Sequence, residues 1–383
     1  MKTFEEKITK IKAENNHREL RFAHGLDFSS NDYLGLANHP KIKKAIIDSL
    51  ILGMPVGSGG ARLLTGNKKE HQELEEFAAD YFNKESCLFF SSGFMANYAI
   101  FTTLPQRKDF IIYDELSHAS VRDGIQASLA KSIKFKHNDL NSLKEKIEKT
   151  QSLNAETIWI AIESVYSMDG DIADISGILE LIKNYKNIYL IIDEAHSVGI
   201  FGHGGKGFSY NLNYENLIVL HTCGKALGVS GALVCASSEI IEYLINKSRP
   251  FIFTTAESPI IAVALKEALI VSQEESWRRE KLLGLIEYTN KSLQSRAGFI
   301  YPPSRRQSQI IPIILENSQK ALDAAAFLQS KGFDIRAVRP PTVPTARLRI
   351  SLNANREINE IDELFNIIGE FLFAPHDSAE RND

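Results

Sequence analysis

From about residue 68 to 250 the chain alternates short β-rich runs with helical patterns, and this alternation constrains its fold more than any other feature. The runs are "CLFFSS" (87 to 92), "DFIIYDE" (109 to 115), "TIWIAIES" (157 to 164), "IYLIIDEA" (188 to 195), "LIVLHT" (217 to 222) and "ALVCAS" (232 to 237). Several are apolar at successive positions rather than at every second one, as expected of strands covered on both faces. Helical stretches such as "KKEHQELEEFAADYF" (68 to 82) and "ISGILELIKNYKN" (175 to 187) lie between them. A mostly parallel central sheet covered by helices, an α/β architecture, satisfies both patterns. Beyond residue 258 comes a long helical segment and then a smaller α+β region, with strands near 308 to 315 and 346 to 352 and helices near 318 to 330 and 357 to 372. The expected organisation is an N-terminal segment (1–45), a large domain (46–285) and a small C-terminal domain (286–383).

Several function classes are disfavoured by charge and composition. Forty-four Lys plus Arg against forty-eight Asp plus Glu give a net charge of −4, so no global field favours nucleic acid or an anionic membrane. The three cysteines, Cys87, Cys223 and Cys235, have neither the even count nor the close pairing of a disulfide framework or zinc knuckle, and no metal is expected. No apolar run approaches the roughly 20 residues that cross a bilayer. The opening "MKTFEEKITKIKAENNHREL" carries acidic residues throughout, unlike a signal or transit peptide. A cytoplasmic protein is expected.

In open α/β sheets ligands bind beyond the carboxyl ends of the strands, and the chemically unusual residues of this chain fall there. "IIDEAHS" closes an apolar strand with Asp193 and sets His196 three residues on. An aspartate at that depth is costly unless it meets a cation or a strong donor. "DEAH" also matches a nucleotide-hydrolysing motif, but "GARLLTGNK" and "GIFGHGGKG" both fail the spacing and final hydroxyl of a phosphate loop, so that reading drops out. "FFSSGFMAN" turns from strand to helix through Ser91, Ser92, Gly93 and Phe94, where bare backbone and free N–H groups favour a phosphate. His118 follows another strand end, and Glu163, Ser167, Asp169 and Asp171 follow a third. Taken singly, each of these is more simply a packed or solvated residue. "HTCGKALGVSG" adds Lys225 among small and apolar neighbours, where burial would lower the amine's pKa from its ordinary value near 10.4.

One cofactor makes use of all these parts. Pyridoxal 5′-phosphate needs a lysine amine for its aldehyde, an acid to keep its ring nitrogen protonated, and amides with hydroxyls for its phosphate. Lys225, Asp193, and the 91 to 94 turn with Thr222 supply the three.

The ordered segments "FSSNDYLGLANHP", "GSGGARLLTGNKKEHQELE", "SSGFMAN", "DELSHAS", "ESVYSMDGD", "IIDEAHSVGIFG", "HTCGKALGVSGALV", "RPFIFTTAESP" and "RPPTVPTARLRISL" together resemble the α-oxoamine synthases. These are fold type I pyridoxal-phosphate enzymes that join an amino acid to an acyl thioester with loss of carbon dioxide. The likeness runs from about residue 26 to 372. It implies that Lys225 carries the cofactor, Asp193 faces its ring nitrogen, and His118 and Ala195 lie against its two ring faces. It implies that His196 and Ser167 reach the ring's phenolic oxygen, and that Ser92, Gly93, Phe94 and Thr222 hold the phosphate. It also implies that Thr254 or Thr255 reaches that phosphate from a neighbouring subunit, hence a homodimer with shared sites. Asn31 and Arg349 would contact substrate, Arg349 as a planar fork for the amino-acid carboxylate. "FSSNDYLGL" and "RPPTVP" resemble the branch that uses L-alanine and a pimeloyl thioester, on coenzyme A or an acyl carrier protein, although a short spacer usual before "TARLR" is missing. Glycine C-acetyltransferase and serine palmitoyltransferase share the same cofactor site.

Overall fold

A computed structural model describes residues 3–14, 16–296, 298–300 and 308–373. Two compact units emerge: one gathers residues 31–167 and 171–282, the other residues 1–30, 168–170 and 283–383. The larger holds a seven-stranded sheet of β1 (Ser86–Phe90), β2 (Phe110–Asp114), β3 (Lys131–Phe135), β4 (Ile158–Glu163), β5 (Ile188–Asp193), β6 (Leu217–Thr222) and β7 (Ala232–Ala236). Their order is β1-β7-β6-β5-β4-β2-β3. Only β7 runs antiparallel to its neighbours, so the other six end on the same edge of the sheet.

Both faces of this sheet are buried, which accounts for its continuous apolar runs. Along β4, Ile158, Ile160 and Ile162 enter one hydrophobic cluster with Leu143, Ile178 and Ile182, whereas Trp159 and Ala161 enter another with Ile100, Phe101 and Val121. Each fully buried side chain of this size contributes about 1.5–3 kcal/mol. β3, "KSIKF", is absent from the sequence expectation because it lies at the sheet edge with its lysines exposed, and charged edges block unwanted pairing. The long helical segment after residue 258 is two helices, Pro259–Glu274 and Ser276–Ser295, separated at Glu275, whose ψ of 52° leaves the helical range. The three cysteines are buried free thiols, and Cys87 stands opposite Cys235 across the β1/β7 ladder.

The smaller unit holds a three-stranded antiparallel sheet of β8 (Ile310–Ile314), β9 (Arg336–Val338) and β10 (Arg347–Ser351), with helices Ser318–Ser330 and Ile358–Phe373. Among the described residues no helix is long and apolar enough to cross a membrane, and no group of His, Cys, Asp and Glu could hold a metal.

The acidic residues after β4 do not act as one cluster. Asp169 forms an ion pair with the buried Arg347 inside the smaller unit. Asp171 and the fully buried Asp114 hold His137 between them, at 3.0 and 2.8 Å. Burial alone would lower the His137 pKa, but hydrogen bonds and charge from both carboxylates outweigh it and push the ring up to about 10. A raised folded-state pKa stabilises fully below the unfolded value, about 6.5, and the contribution is lost as pH rises through about 10. His137→Ala should therefore lower the unfolding free energy at pH 7 by about 3–5 kcal/mol, because it leaves two buried carboxylates unpaired. Denaturant titrations should show the gap to wild type narrowing as pH rises above about 6.5 and the ionic part of it gone by about 10; a gap independent of pH would count against this pairing.

Candidate active site

The edge on which the six parallel strands end gathers most of the residues singled out from the sequence. After β1, Ser92 caps the helix Gly93–Thr103, its hydroxyl accepting from the Met95 N–H at 3.2 Å. Gly93 is required by space: a Cβ there would meet Thr222 Oγ1, at the end of β6, at 2.2 Å. Bare backbone, a threonine hydroxyl and the free N–H groups of a helix start thus converge, a combination suited to a phosphate. Phe94 is partly exposed beside it.

Asp193 ends β5 and is almost fully buried. Its Oδ1 accepts from the Ala195 N–H at 2.9 Å and its Oδ2 from the Asn97 side-chain amide at 2.8 Å. The same Asn97 amide nitrogen donates at 3.0 Å to Ser120 Oγ, which lies 2.8 Å from His118 Nδ1. Because the Ser120 backbone N–H also donates to that nitrogen, at 3.2 Å, His118 Nδ1 is an acceptor and its proton sits on Nε2. Burial pulls the His118 pKa below the usual imidazole range. Glu163, opposite Asp193 in the β4/β5 register, accepts the His118 backbone N–H at 2.6 Å. Burial first, and then the charge of Asp193, push the Glu163 pKa up to about 8.

Lys225 follows β6 in a turn closed by the Gly228 N–H donating to its carbonyl at 2.9 Å. Ala226 and Leu227 are fully buried, and the lysine Nζ lies 2.7 Å from His196 Nε2. Tyr33 Oη lies 2.7 Å from the other ring nitrogen, Nδ1, and donates to Asn31 Oδ1 at 2.9 Å. Ser167 and Ala195 are buried in the same unit.

Thr254, Thr255 and Arg349, also singled out, make other contacts. Thr254 and Thr255 are exposed and line a small cleft with Arg62, Ser91 and Met95. Their segment is held by the Ala256 N–H donating to the Gly60 carbonyl at 2.9 Å and by His71 Nε2 on the Glu257 carbonyl at 2.8 Å. In the smaller unit Arg349 lies on β10, its Nη1 donating to Ser351 Oγ at 2.8 Å. The neighbouring arginine, Arg347, is buried against Asp169.

Asn97, Ser120 and Tyr33 are contacts that the sequence reading did not single out. Asn97 and Tyr33 lie well away in sequence from the residues they hold, whereas Ser120 sits two places after His118, so only the "SSGFMAN", "SHAS" and "NDYLGL" segments around them carried any signal.

A doubly covered, mostly parallel sheet with a lysine, a strand-end acid and a glycine-bearing helix start along one edge defines a class of cofactor-dependent transferases. The model of the class I and II aminotransferase family matches residues 23–368, and the chain belongs to that family and uses pyridoxal phosphate. A curated 8-amino-7-oxononanoate synthase from Hydrogenovibrio crunogenus is 39% identical over 350 residues, covering 90% of this chain and 86% of that one. The crystal structure of 8-amino-7-oxononanoate synthase from Francisella tularensis aligns with a TM-score of 0.78 at 31% identity, over 91% of this chain and 98% of that one. Serine palmitoyltransferase from S. paucimobilis, carrying a PLP–myriocin adduct, shares the fold with a TM-score of 0.86 at 24% identity, over 96% of each chain. Within the family the chain is an acyltransferase of the α-oxoamine synthase group, on the 8-amino-7-oxononanoate synthase branch of biotin biosynthesis.

The residues present fit the cofactor. The Gly93 cradle has no room for a side chain, which is what backbone approach to a phosphate requires, and a buried carboxylate and a lysine amine complete the donor set.

Proposed function

We propose that this chain condenses L-alanine with a pimeloyl thioester, releasing carbon dioxide and the free thiol and giving 8-amino-7-oxononanoate. The observation that carries the reading is the Lys225 amine held 2.7 Å from His196, on the sheet edge where Asp193 and the Gly93 cradle also lie. The names of the relatives support the choice of substrates. Bound pyridoxal phosphate supplies an aldehyde for amines and an electron sink for the carbanion formed at the amino acid's α-carbon.

In this reading Lys225 carries the cofactor at rest and, once freed by the incoming amine, takes the α-proton on Nζ. Asp193 keeps a proton on the ring nitrogen, and Asn97 and the Ala195 N–H hold its carboxylate in place. His118 and Ala195 would pack against the cofactor ring. The Nε2–H of His118 is free of the Ser120 contacts and can donate to a developing oxyanion. His196 and Ser167 attend the phenolic oxygen, while Ser92, Gly93, Phe94 and Thr222 hold the phosphate. Asn31 contacts substrate, and Arg349 clamps the amino-acid carboxylate as a bidentate fork.

A homodimer with shared sites belongs to the same reading, with Thr254 or Thr255 reaching the partner's phosphate. It is supported by apolar side chains left in solvent beside those threonines: Val56, Leu63, Leu64 and Phe253 are 72%, 51%, 80% and 70% exposed. The Ser258 hydroxyl donating to the Val56 carbonyl at 2.5 Å ties the two segments that carry them. Exposed apolar surface of this kind marks an interface. Three free thiols suit a reducing cytoplasm.

The test is mass spectrometry of the product from alanine, glycine or serine, each offered with pimeloyl, acetyl and palmitoyl thioesters on coenzyme A and pimeloyl thioester on acyl carrier protein. Alanine with a pimeloyl donor should give 8-amino-7-oxononanoate at the highest kcat/KM. Preference for glycine with acetyl, or serine with palmitoyl, would move the chain to another member of the group.

A further inference from the structure

His71 is fully buried on the helix Lys69–Phe82, and both of its ring nitrogens are engaged. Nδ1 accepts the Lys68 N–H at 3.1 Å, so the ring proton sits on Nε2, which donates to the Glu257 carbonyl at 2.8 Å. Burial, and then the charge of Arg62, hold the His71 pKa below the usual imidazole range, which keeps Nδ1 bare. The Ser58 hydroxyl donates to the same Glu257 carbonyl at 2.5 Å. Both lone pairs of that oxygen are therefore in use.

The two threonines lie between anchors on either side. Before them, Phe251 is buried with its ring 5.8 Å from that of Phe90, and the Arg62 guanidinium lies 5.5 Å from the Phe251 centroid. After them, Ala256 is buried and Glu257 is held by His71 and Ser58. Between, Phe253, Thr254 and Thr255 are exposed. The anchors differ in stiffness. Ser58 and Gly60 belong to "GSGG" (57 to 60), where Gly59 has φ +72°, and glycine-rich backbone moves at little cost. His71 stands on a helix of 14 residues that buries Leu74, Ala78 and Phe82, so its hydrogen bond is the rigid one.

We propose that His71 is a positioning residue for the partner's active site: by pinning the Glu257 carbonyl to a rigid helix, it sets where Thr254 and Thr255 meet the partner's cofactor phosphate. That role rests on the shared-site reading above and gives it a residue to act through.

The first test measures two affinities on full-length protein freed of cofactor, for pyridoxal phosphate and for pyridoxal, which lacks the phosphate. His71→Asn keeps an acceptor for the Lys68 N–H but is too short for the Glu257 carbonyl, so the Kd for pyridoxal phosphate should rise about 10-fold. The Kd for pyridoxal should not change. His71→Gln, whose amide N–H can stand in for Nε2–H, should restore most of the affinity. Ser58→Ala removes the other donor without touching the helix and should give the same phosphate-specific loss, which keeps the test alive should the asparagine variant fold poorly.

Co-expressed subunits supply the second test. In a mixed dimer of His71→Asn with Lys225→Ala, the site that keeps its lysine takes its threonines from the subunit with intact His71. Random pairing should then restore about a quarter of wild-type turnover at limiting cofactor. His71→Asn paired with the Thr254→Ala, Thr255→Ala double variant has no intact site and should restore none. Equal losses for pyridoxal and pyridoxal phosphate, unaltered affinity in both His71→Asn and Ser58→Ala, or no rescue by Lys225→Ala overturns the proposal. A threonine double variant that binds pyridoxal phosphate as tightly as wild type would bring down the shared-site reading as well. Weak binding by that double variant, with normal binding by His71→Asn and Ser58→Ala, would sink this inference alone.

Discussion

Lys225→Ala is expected to abolish the visible absorbance of bound cofactor and to reduce turnover by at least on the order of 10⁴-fold, since covalent attachment and the general base are lost together. The fold should be retained. Lys225 is only partly buried, and its hydrogen bond to His196 is worth about 1 kcal/mol. Ala226 and Leu227, which anchor the turn, are untouched. Absorbance spectroscopy, and mass spectrometry after borohydride reduction, are the measurements. A reducible adduct persisting in the variant would remove Lys225 from its assigned role.

Asp193→Asn should have the second largest effect, for two separable reasons. Both carboxylate oxygens accept hydrogen bonds, one from the Ala195 N–H and one from the Asn97 amide, so a side-chain amide must turn its NH₂ toward a donor. That conflict costs about 1–3 kcal/mol of stability. The second reason is chemical. A nearby negative charge holds a cationic partner's pKa up by roughly 1–3 units, so its loss should lower turnover about 10- to 10³-fold through a weaker electron sink. Cofactor affinity should change less, because Ser92, Gly93 and Thr222 are unaltered. Equilibrium binding and steady-state turnover separate the two effects, and near-normal turnover would rule out Asp193 as the ring-nitrogen partner.

The sheet was legible wherever burial on both faces left a continuous apolar run. β6 falls on the very residues expected; β5 and β7 differ from the expected run by one or two residues at one end, and β1, β2 and β4 by one or two at each end. β3 was not legible, because an exposed edge strand carries lysines where a buried one carries isoleucine. Nor was the break at Glu275, since the residues on either side read as one helical pattern. The acidic run after β4 looked like one cluster, yet Glu163, Asp169 and Asp171 each found a different partner. Only the folded chain brings His118, Arg347 and His137 to them.

By itself, the sequence determined which residues stand at the strand ends, because a strand that is apolar throughout must stop where Asp193, Thr222 or Glu163 begins to need polar partners. It also marked Gly93 as a place where bare backbone was needed, although not that Thr222 presses on it. Tertiary structure alone decided the hydrogen-bond partners: Asn97 on Asp193 and on Ser120, and Tyr33 on His196. Tyr33 and His196 are 163 residues apart, and hydrogen bonds are short and directional, so neither spacing nor composition encodes which donor meets which acceptor. Packing of the 31–37 turn against the Lys225 turn settles it.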